Sequence, residues 1–291
     1  MFVVKEHLAY SEDCFDRPER PGNKDLCMAV DFDSLPAQFG KGMIRIVMDG
    51  MSQGQGKEAV ETAAPSLYLN LAGELMLISR EMSREVESIG ESEADGAEMF
   101  IRDYLQRRME DVLLDSLRIT NGILRRSADA HAYCTVSVAV VFHRYLFTAN
   151  MGDSPIFLLD LSDEKSMLEP MYHMDNEAGF MMDRGQLTEE EALHSHHQNA
   201  LLRYLGAESR DMLEDGNINF RMTPLPESFL LLLGSDGALS QLSRREMTAL
   251  LRNSLDEGKS LRQILKELKR EVGATGSDDD FTLFMDLVAT D

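Results

Sequence analysis

Two hydrophobic habits alternate along the chain. Short apolar runs rich in β-branched residues occupy Ile44–Val47, Thr135–Phe142, Tyr145–Ala149, Ile156–Leu159, Phe229–Leu233 and Phe281–Val288, the pattern of buried strands. His143-Arg144 separates the second run from the third, a spacing suited to a hairpin. Between these runs the period changes. Helix formers begin at Lys57, and Leu105, Met109, Val112, Leu113, Leu117, Ile123 and Leu124 recur at helical spacing. Glu189–Leu205, Ser243–Leu251 and Ser260–Val272 also read as helices, whereas the acidic, small-residue stretch Glu85–Ala97 reads as a solvated loop. Strand runs with helices inserted between them, without a repeat or a linker, predict an α+β sandwich forming one domain over residues 1–291.

The strands share a feature at their ends. Asp49, Asp153, Asp236 and Asp279 each abut an apolar run, three of them beside a glycine, and Asp25 lies near a further one. A single Asp-Gly is an ordinary turn signal. Five aspartates repeated at strand ends are different, because acids converging on one end of a sheet repel each other unless cations sit among them.

Charge and cysteine usage narrow the classes. With 51 acidic and 29 basic residues the net charge is -22, which repels a phosphate backbone and argues against nucleic acid as a partner. The three cysteines, Cys14, Cys27 and Cys134, are widely spaced and form no C-x-x-C pair, which suits a reducing, cytoplasmic setting. No apolar run approaches the roughly 20 residues that span a bilayer, and the segment opening at Met1 has no basic stretch followed by an apolar one, so no membrane association is expected. His194, His196 and His197 cannot share one helix face as ligands would, and they read as a solvated surface.

Ordered motifs add a resemblance. Arg20-Pro21-Gly22-Asn23-Lys24-Asp25 has the R-x-x-N-x-D pattern that opens bacterial type 2C protein phosphatases. Val47–Ala59, Phe147–Leu159, Arg184–Gly206, Leu230–Ser243 and Ser277–Leu287 resemble that family's later landmarks in the family's order, so the likeness runs from Arg20 to Leu287. The chain is thereby identified as a member of the metal-dependent (PPM, type 2C) serine/threonine phosphatases. The resemblance implies a central antiparallel β-sandwich flanked by helices on both sides. It makes Asp49 the carboxylate bridging two Mn²⁺ or Mg²⁺ ions, with the Gly50 carbonyl, Asp236 and Asp279 completing the shell and Asp25 supporting it. Asp153 would help hold a third, weaker ion, and Arg20 would grip the phosphoryl group with its planar charged fork. The implied substrates are phosphoserine and phosphothreonine proteins, the products of a cognate kinase, hydrolysed by a water held between two metals. The Met-rich stretch Met167–Met182 occupies the place of the family's substrate-selecting flap.

Several positions depart from the family pattern: Lys24, Met51, Ser52-Gln53, Cys134, Pro155 and Asp280, and Asp175-Asn176 keeps only the first member of an Asp-His pair. Met51 stands where animal members place a histidine proposed as general acid, so leaving-group protonation has no assigned residue. These departures motivate a second expectation, a catalytically weak or silent module that binds phosphoproteins. A third reading treats the aspartates as turn formers of an acidic scaffold.

Overall fold

The structure, a computed structural model, describes residues 2–13, 22–33, 41–51, 55–88, 94–127, 132–207, 218–277 and 279–290. Its strands are β1 (Phe2–Glu12), β2 (Leu26–Asp33), β3 (Lys41–Met48), β4 (Val136–Phe142), β5 (Tyr145–Met151), β6 (Ile156–Asp160), β7 (Glu169–Pro170), β8 (Arg221–Pro224), β9 (Ser228–Gly234) and β10 (Phe281–Thr290). Its helices are α1 (Gly56–Ser88), α2 (Ala94–Ser127), α3 (Glu177–Asp183), α4 (Glu189–Leu193), α5 (Asp236–Leu239), α6 (Arg244–Asp256) and α7 (Leu261–Ala274), with a 3₁₀ turn at His196–Asn199.

The strands form two antiparallel sheets in the orders β1-β10-β9-β6-β7 and β2-β3-β4-β5-β8. Side chains alternate across each sheet and so divide between two apolar layers. On β3, Ile44, Ile46 and Met48 pack towards α1 and α2, while Met43 and Val47 enter the space between the sheets. On β9, Leu230 and Leu232 face α6 and α7, while Phe229, Leu231 and Leu233 meet β3 and β4 residues across the sandwich. Three apolar layers thus separate four layers of structure, helices, sheet, sheet and helices, as the α+β expectation required.

Two helical expectations change. The acidic stretch taken as a loop is partly helical: α1 continues to Ser88 and α2 begins at Ala94, leaving only residues 89–93 outside the described ones. The helix expected over Glu189–Leu205 stops at Leu193, because Ser195 caps a separate 3₁₀ turn and Leu201 and Leu205 form bridges with Asn176 and Cys134. Tertiary pairing here takes backbone groups that a continuous helix would have used.

Among the described residues, one ion pair with both side chains fully buried crosses between the sheets. Arg45 of β3 and Asp286 of β10, both with fully buried side chains, meet through Nε to Oδ2 at 2.7 Å and Nη2 to Oδ1 at 2.9 Å. Arg45 Nη1 also reaches Asp31 Oδ1 at 2.8 Å, and His7 Nδ1 lies 2.6 Å from Asp286 Oδ1. Burial alone would raise the Asp286 pKa, but the hydrogen bonds to His7 and Arg45 outweigh it and hold the carboxyl below the usual range.

Removing one partner of a buried pair strands the other charge, at a cost of about 3–5 kcal/mol. Asp286→Ala is therefore expected to lower unfolding free energy by that amount in urea titrations, whereas Arg45→Met combined with Asp286→Leu should cost much less. The Asp286 contribution is complete above the ordinary aspartate pKa of about 3.9 and is lost as pH falls through its lower folded value. The double variant should lack that part of the acid limb.

Candidate metal centre

The sheet registers bring the strand-end aspartates to one end of the sandwich. In one sheet Leu26 at the start of β2 pairs with Met48 at the end of β3, and Val136 at the start of β4 pairs with Met151 at the end of β5. In the other, Leu283 near the start of β10 pairs with Gly234 at the end of β9. The Lys24 amide donates to Asp280 Oδ2 at 3.0 Å, joining the two sheets at that end.

Each acid is set by its own local device. Asp49 continues β3, its amide donating to Thr135 Oγ1 at 3.1 Å and its carbonyl accepting from the Thr135 amide at 2.8 Å. Gly50 bridges to Cys134, and a Cβ there would lie 2.6 Å from Gly56 backbone atoms and 2.7 Å from the Lys24 carbonyl oxygen. Asp153 follows Gly152, whose φ of +105° and close approach to Thr135 leave no room for a side chain. Its buried carboxylate accepts from Asn176 Nδ2 at 2.9 Å. Asp236 opens α5 directly after β9 and accepts from the Gly237 amide at 2.7 Å. Asp279 is exposed and accepts from the Asp280 amide at 3.0 Å. Asp25 precedes β2, its amide bound to Asn23 Oδ1 at 2.8 Å.

The acids perturb one another. Burial raises the Asp49 pKa well above the ordinary value, and Asp25, Asp236, Asp279 and Asp153 raise it further. Asp25 is pushed to about 7 by burial, with Asp280 and Asp236 adding to it. Asp153 is pushed to about 8 by burial and Asp236, against the lowering hydrogen bond from Asn176. Asp236 rises to about 6 through burial and Asp279, offset by hydrogen bonds with Asp49 and the Gly237 amide.

The residues fit a pair of hard divalent cations in donor chemistry, since every candidate offers oxygen. The most telling observation is Asp25. Both of its carboxylate oxygens are buried without a hydrogen-bond partner. The Ser235 and Thr282 hydroxyls lie close enough to lower its pKa, while Ser235 Oγ donates to the Asp280 carbonyl at 3.2 Å and Thr282 Oγ1 shares a hydrogen bond with Ser11 Oγ at 2.7 Å. A buried acid left unsatisfied is costly and calls for a compensating charge. Among the described residues no three His, Cys, Asp or Glu side chains yet form a group that could hold a metal ion.

Arg20, the expected phosphoryl ligand, lies outside the described residues, as do Ser52 and Gln53. Cys134 is buried in the bridge beside Gly50, and burial lifts its thiol to about 12, which makes it a packed core residue rather than a reactive one. The Met167–Met182 stretch contains β7 and most of α3. In the sequence Asn176 and Asp280 stand out only as departures from the family pattern; the bond from Asn176 to Asp153 and the tie from Asp280 to the Lys24 amide are visible only in the structure, Asn176 because it lies at no apolar strand's end and Asp280, although it abuts β10, because its partner precedes a strand in the other sheet.

No family model matches the sequence, and no curated protein matches it. Solved structures do. The PPM Ser-Thr phosphatase MsPP from Mycobacterium smegmatis, solved with cacodylate, is 17% identical with a TM-score of 0.64, over 97% of this chain and 98% of that one. The Mycobacterium tuberculosis serine/threonine phosphatase PstP/Ppp is 18% identical with a TM-score of 0.65, over 99% and 100%. The catalytic domain of PstP, solved with two manganese ions, is 17% identical with a TM-score of 0.64 over 99% and 100%. PppA, a key regulatory component of T6SS in Pseudomonas aeruginosa, is 15% identical with a TM-score of 0.56 over 98% of each chain. The chain has the fold of the PPM Ser-Thr phosphatases.

Two outcomes follow. Acids whose folded pKa is raised stabilise the protein below the ordinary aspartate value and lose that advantage as pH rises through about 6 to 8. In a chelator the melting temperature should therefore fall between pH 5 and pH 8, and millimolar Mn²⁺ should raise it more at pH 8 than at pH 5, where protons compete for the same oxygens. Gly50→Ala must displace backbone at the Gly56 and Lys24 contacts, so calorimetry should show at least about tenfold weaker Mn²⁺ binding, at a cost to stability of about 1–3 kcal/mol.

Proposed function

We propose that this protein is a metal-dependent phosphoprotein phosphatase, one catalytic domain that hydrolyses phosphoserine and phosphothreonine on the products of a kinase in a reducing cytoplasm. The reading is carried by one observation: Asp25, Asp49, Asp153, Asp236 and Asp279 stand at one end of a PPM-type sandwich, where the pKa of Asp49 feels the other four.

Asp49, Asp236, Asp279 and the Gly50 carbonyl are the residues that would hold two Mn²⁺ or Mg²⁺ ions, with Asp25 supporting them and Asp153 contributing to a third. Bound cations would supply an acidified water and positive charge against the phosphoryl oxygens. The protein's own part is geometric. Thr135 locks Asp49 from both sides of its peptide, Gly237 orients Asp236, and the close packing at Gly50 keeps that carbonyl from turning away. Arg20 would bind the phosphoryl group in two-pronged fashion. Local cations reverse the field of a chain whose net charge of -22 would otherwise repel a dianion.

A second reading is a catalytically weak or silent module that recognises phosphoproteins. It is favoured by the absence, among the described residues, of a ready-made metal group and by the fold shared with PppA, a key regulatory component of T6SS in Pseudomonas aeruginosa.

Assays with p-nitrophenyl phosphate and phosphothreonine peptides separate the two. The enzyme should turn over only with Mn²⁺ or Mg²⁺ and should lose at least about a hundredfold in kcat/KM in Asp49→Asn and Asp236→Asn, a loss of about 2.7 kcal/mol in transition-state stabilisation. Arg20→Ala should weaken phosphopeptide turnover without altering Mn²⁺ binding. Pure protein that binds Mn²⁺ poorly and hydrolyses neither substrate at saturating metal sinks the catalytic reading.

A further inference from the structure

Asn176 ties a segment of the fold that holds no candidate ligand to the carboxylate of Asp153. It is buried, and its side-chain amide is fully committed. Nδ2 donates to Asp153 Oδ2 at 2.9 Å and to the Gln198 carbonyl at 3.0 Å, and Oδ1 accepts from the Gly179 amide at 2.9 Å as the N-cap of α3. The amide has one workable orientation. Turning it over would aim its NH₂ at the Gly179 N–H and its oxygen at two acceptors, losing all three bonds.

The neighbouring backbone reinforces the attachment. Asp175 accepts from the Gly152 amide at 3.3 Å and from Asn219 Nδ2 at 2.9 Å, and its own amide donates to the Gly152 carbonyl at 3.0 Å. The Glu177 amide bonds to the Ala200 carbonyl at 3.0 Å and the Leu202 amide to the Asp175 carbonyl at 2.8 Å. The turn carrying Asp153 is thus clamped to residues 173–202, but only Asn176 touches the carboxylate itself among these contacts.

We infer that Asn176 is a positioning residue that directs Asp153 towards its ion and couples occupancy of that weakest metal position to the order of α3 and the 3₁₀ turn. The inference rests on the metal-centre reading. A neutral donor suits the task, since it fixes one oxygen by a directional bond and leaves the other free to face a cation, without adding a competing charge.

The test combines Mn²⁺ calorimetry with hydrogen exchange on the full chain. Asn176→Ser keeps a hydroxyl able to cap α3 and removes both amide donors. Melting in chelator should fall by a few degrees, because the buried Gln198 carbonyl loses its partner, while Mn²⁺ binding at the weakest position falls about 10- to 100-fold, and the loss in binding should vanish in an Asp153→Asn background, as expected if both act on one site. In the unaltered chain Mn²⁺ should slow exchange at the Glu177, Gly179 and Leu202 amides. Unchanged Mn²⁺ affinity in Asn176→Ser overturns the inference and leaves the metal centre standing. So does Mn²⁺ that binds and protects Asp49 and Asp236 but not those three amides. No Mn²⁺ binding by the unaltered chain overturns both. Should Asn176→Ser fail to fold, the exchange measurement on the unaltered chain decides alone.

Discussion

The Arg45–Asp286 pair is the constraint through which the rest of the molecule is aligned. Apolar side chains between two sheets give strong but undirected cohesion, and sheets held by such contacts alone can slide. A two-pronged ion pair cannot slide, because displacing either strand by one residue turns a charged side chain to the opposite face and leaves its partner buried alone. Fixing β3 against β10 fixes the ends of both. Asp49 is four residues beyond Arg45, and Asp280, which accepts from the Lys24 amide ahead of Asp25, is six residues before Asp286.

From that alignment the acidic end follows by register. Each sheet contributes carboxylates from the points where its central strands stop, and the turns there are too tight for ordinary side chains, as Gly50, Gly152 and Gly237 attest. The result is a set of acids, buried or half-buried apart from Asp279, that raise each other's pKa and would be poor company without cations. Stability elsewhere in the fold tolerates this local repulsion, a common arrangement at sites whose chemistry depends on it.

How much of this was legible in the sequence divides along the sheets. The six apolar runs became β3, β4, β5, β6, β9 and β10, all interior strands covered on both faces, so their sequence is continuously hydrophobic. The four strands that escaped notice, β1, β2, β7 and β8, are the edges, where one side is open and polar residues interrupt the pattern, as in Lys5, Glu6 and His7 of β1. The aspartates were visible because each sits beside an interior strand or, for Asp25, within a recognisable motif. Asn176 was not, because it reaches Asp153 from a helix cap 23 positions along the chain, and no local periodicity records that contact.

The same division separates what holds the fold from what the site needs. The three apolar layers and the Arg45–Asp286 pair draw on the helices and on strand interiors, and none of the candidate metal ligands is among the core residues. Cations at the acidic end would therefore relieve repulsion without being the agent of folding, unlike small metal domains in which the ion replaces a core. On the metal-centre reading the chain would keep its sandwich in chelator while the parts tied to the acids respond to metal. Those parts are the turns at Gly50 and Gly152 and, through Asn176, the segment from His173 to Leu202. On that reading an acidic end built on an independently stable frame would load and release ions without threatening the core.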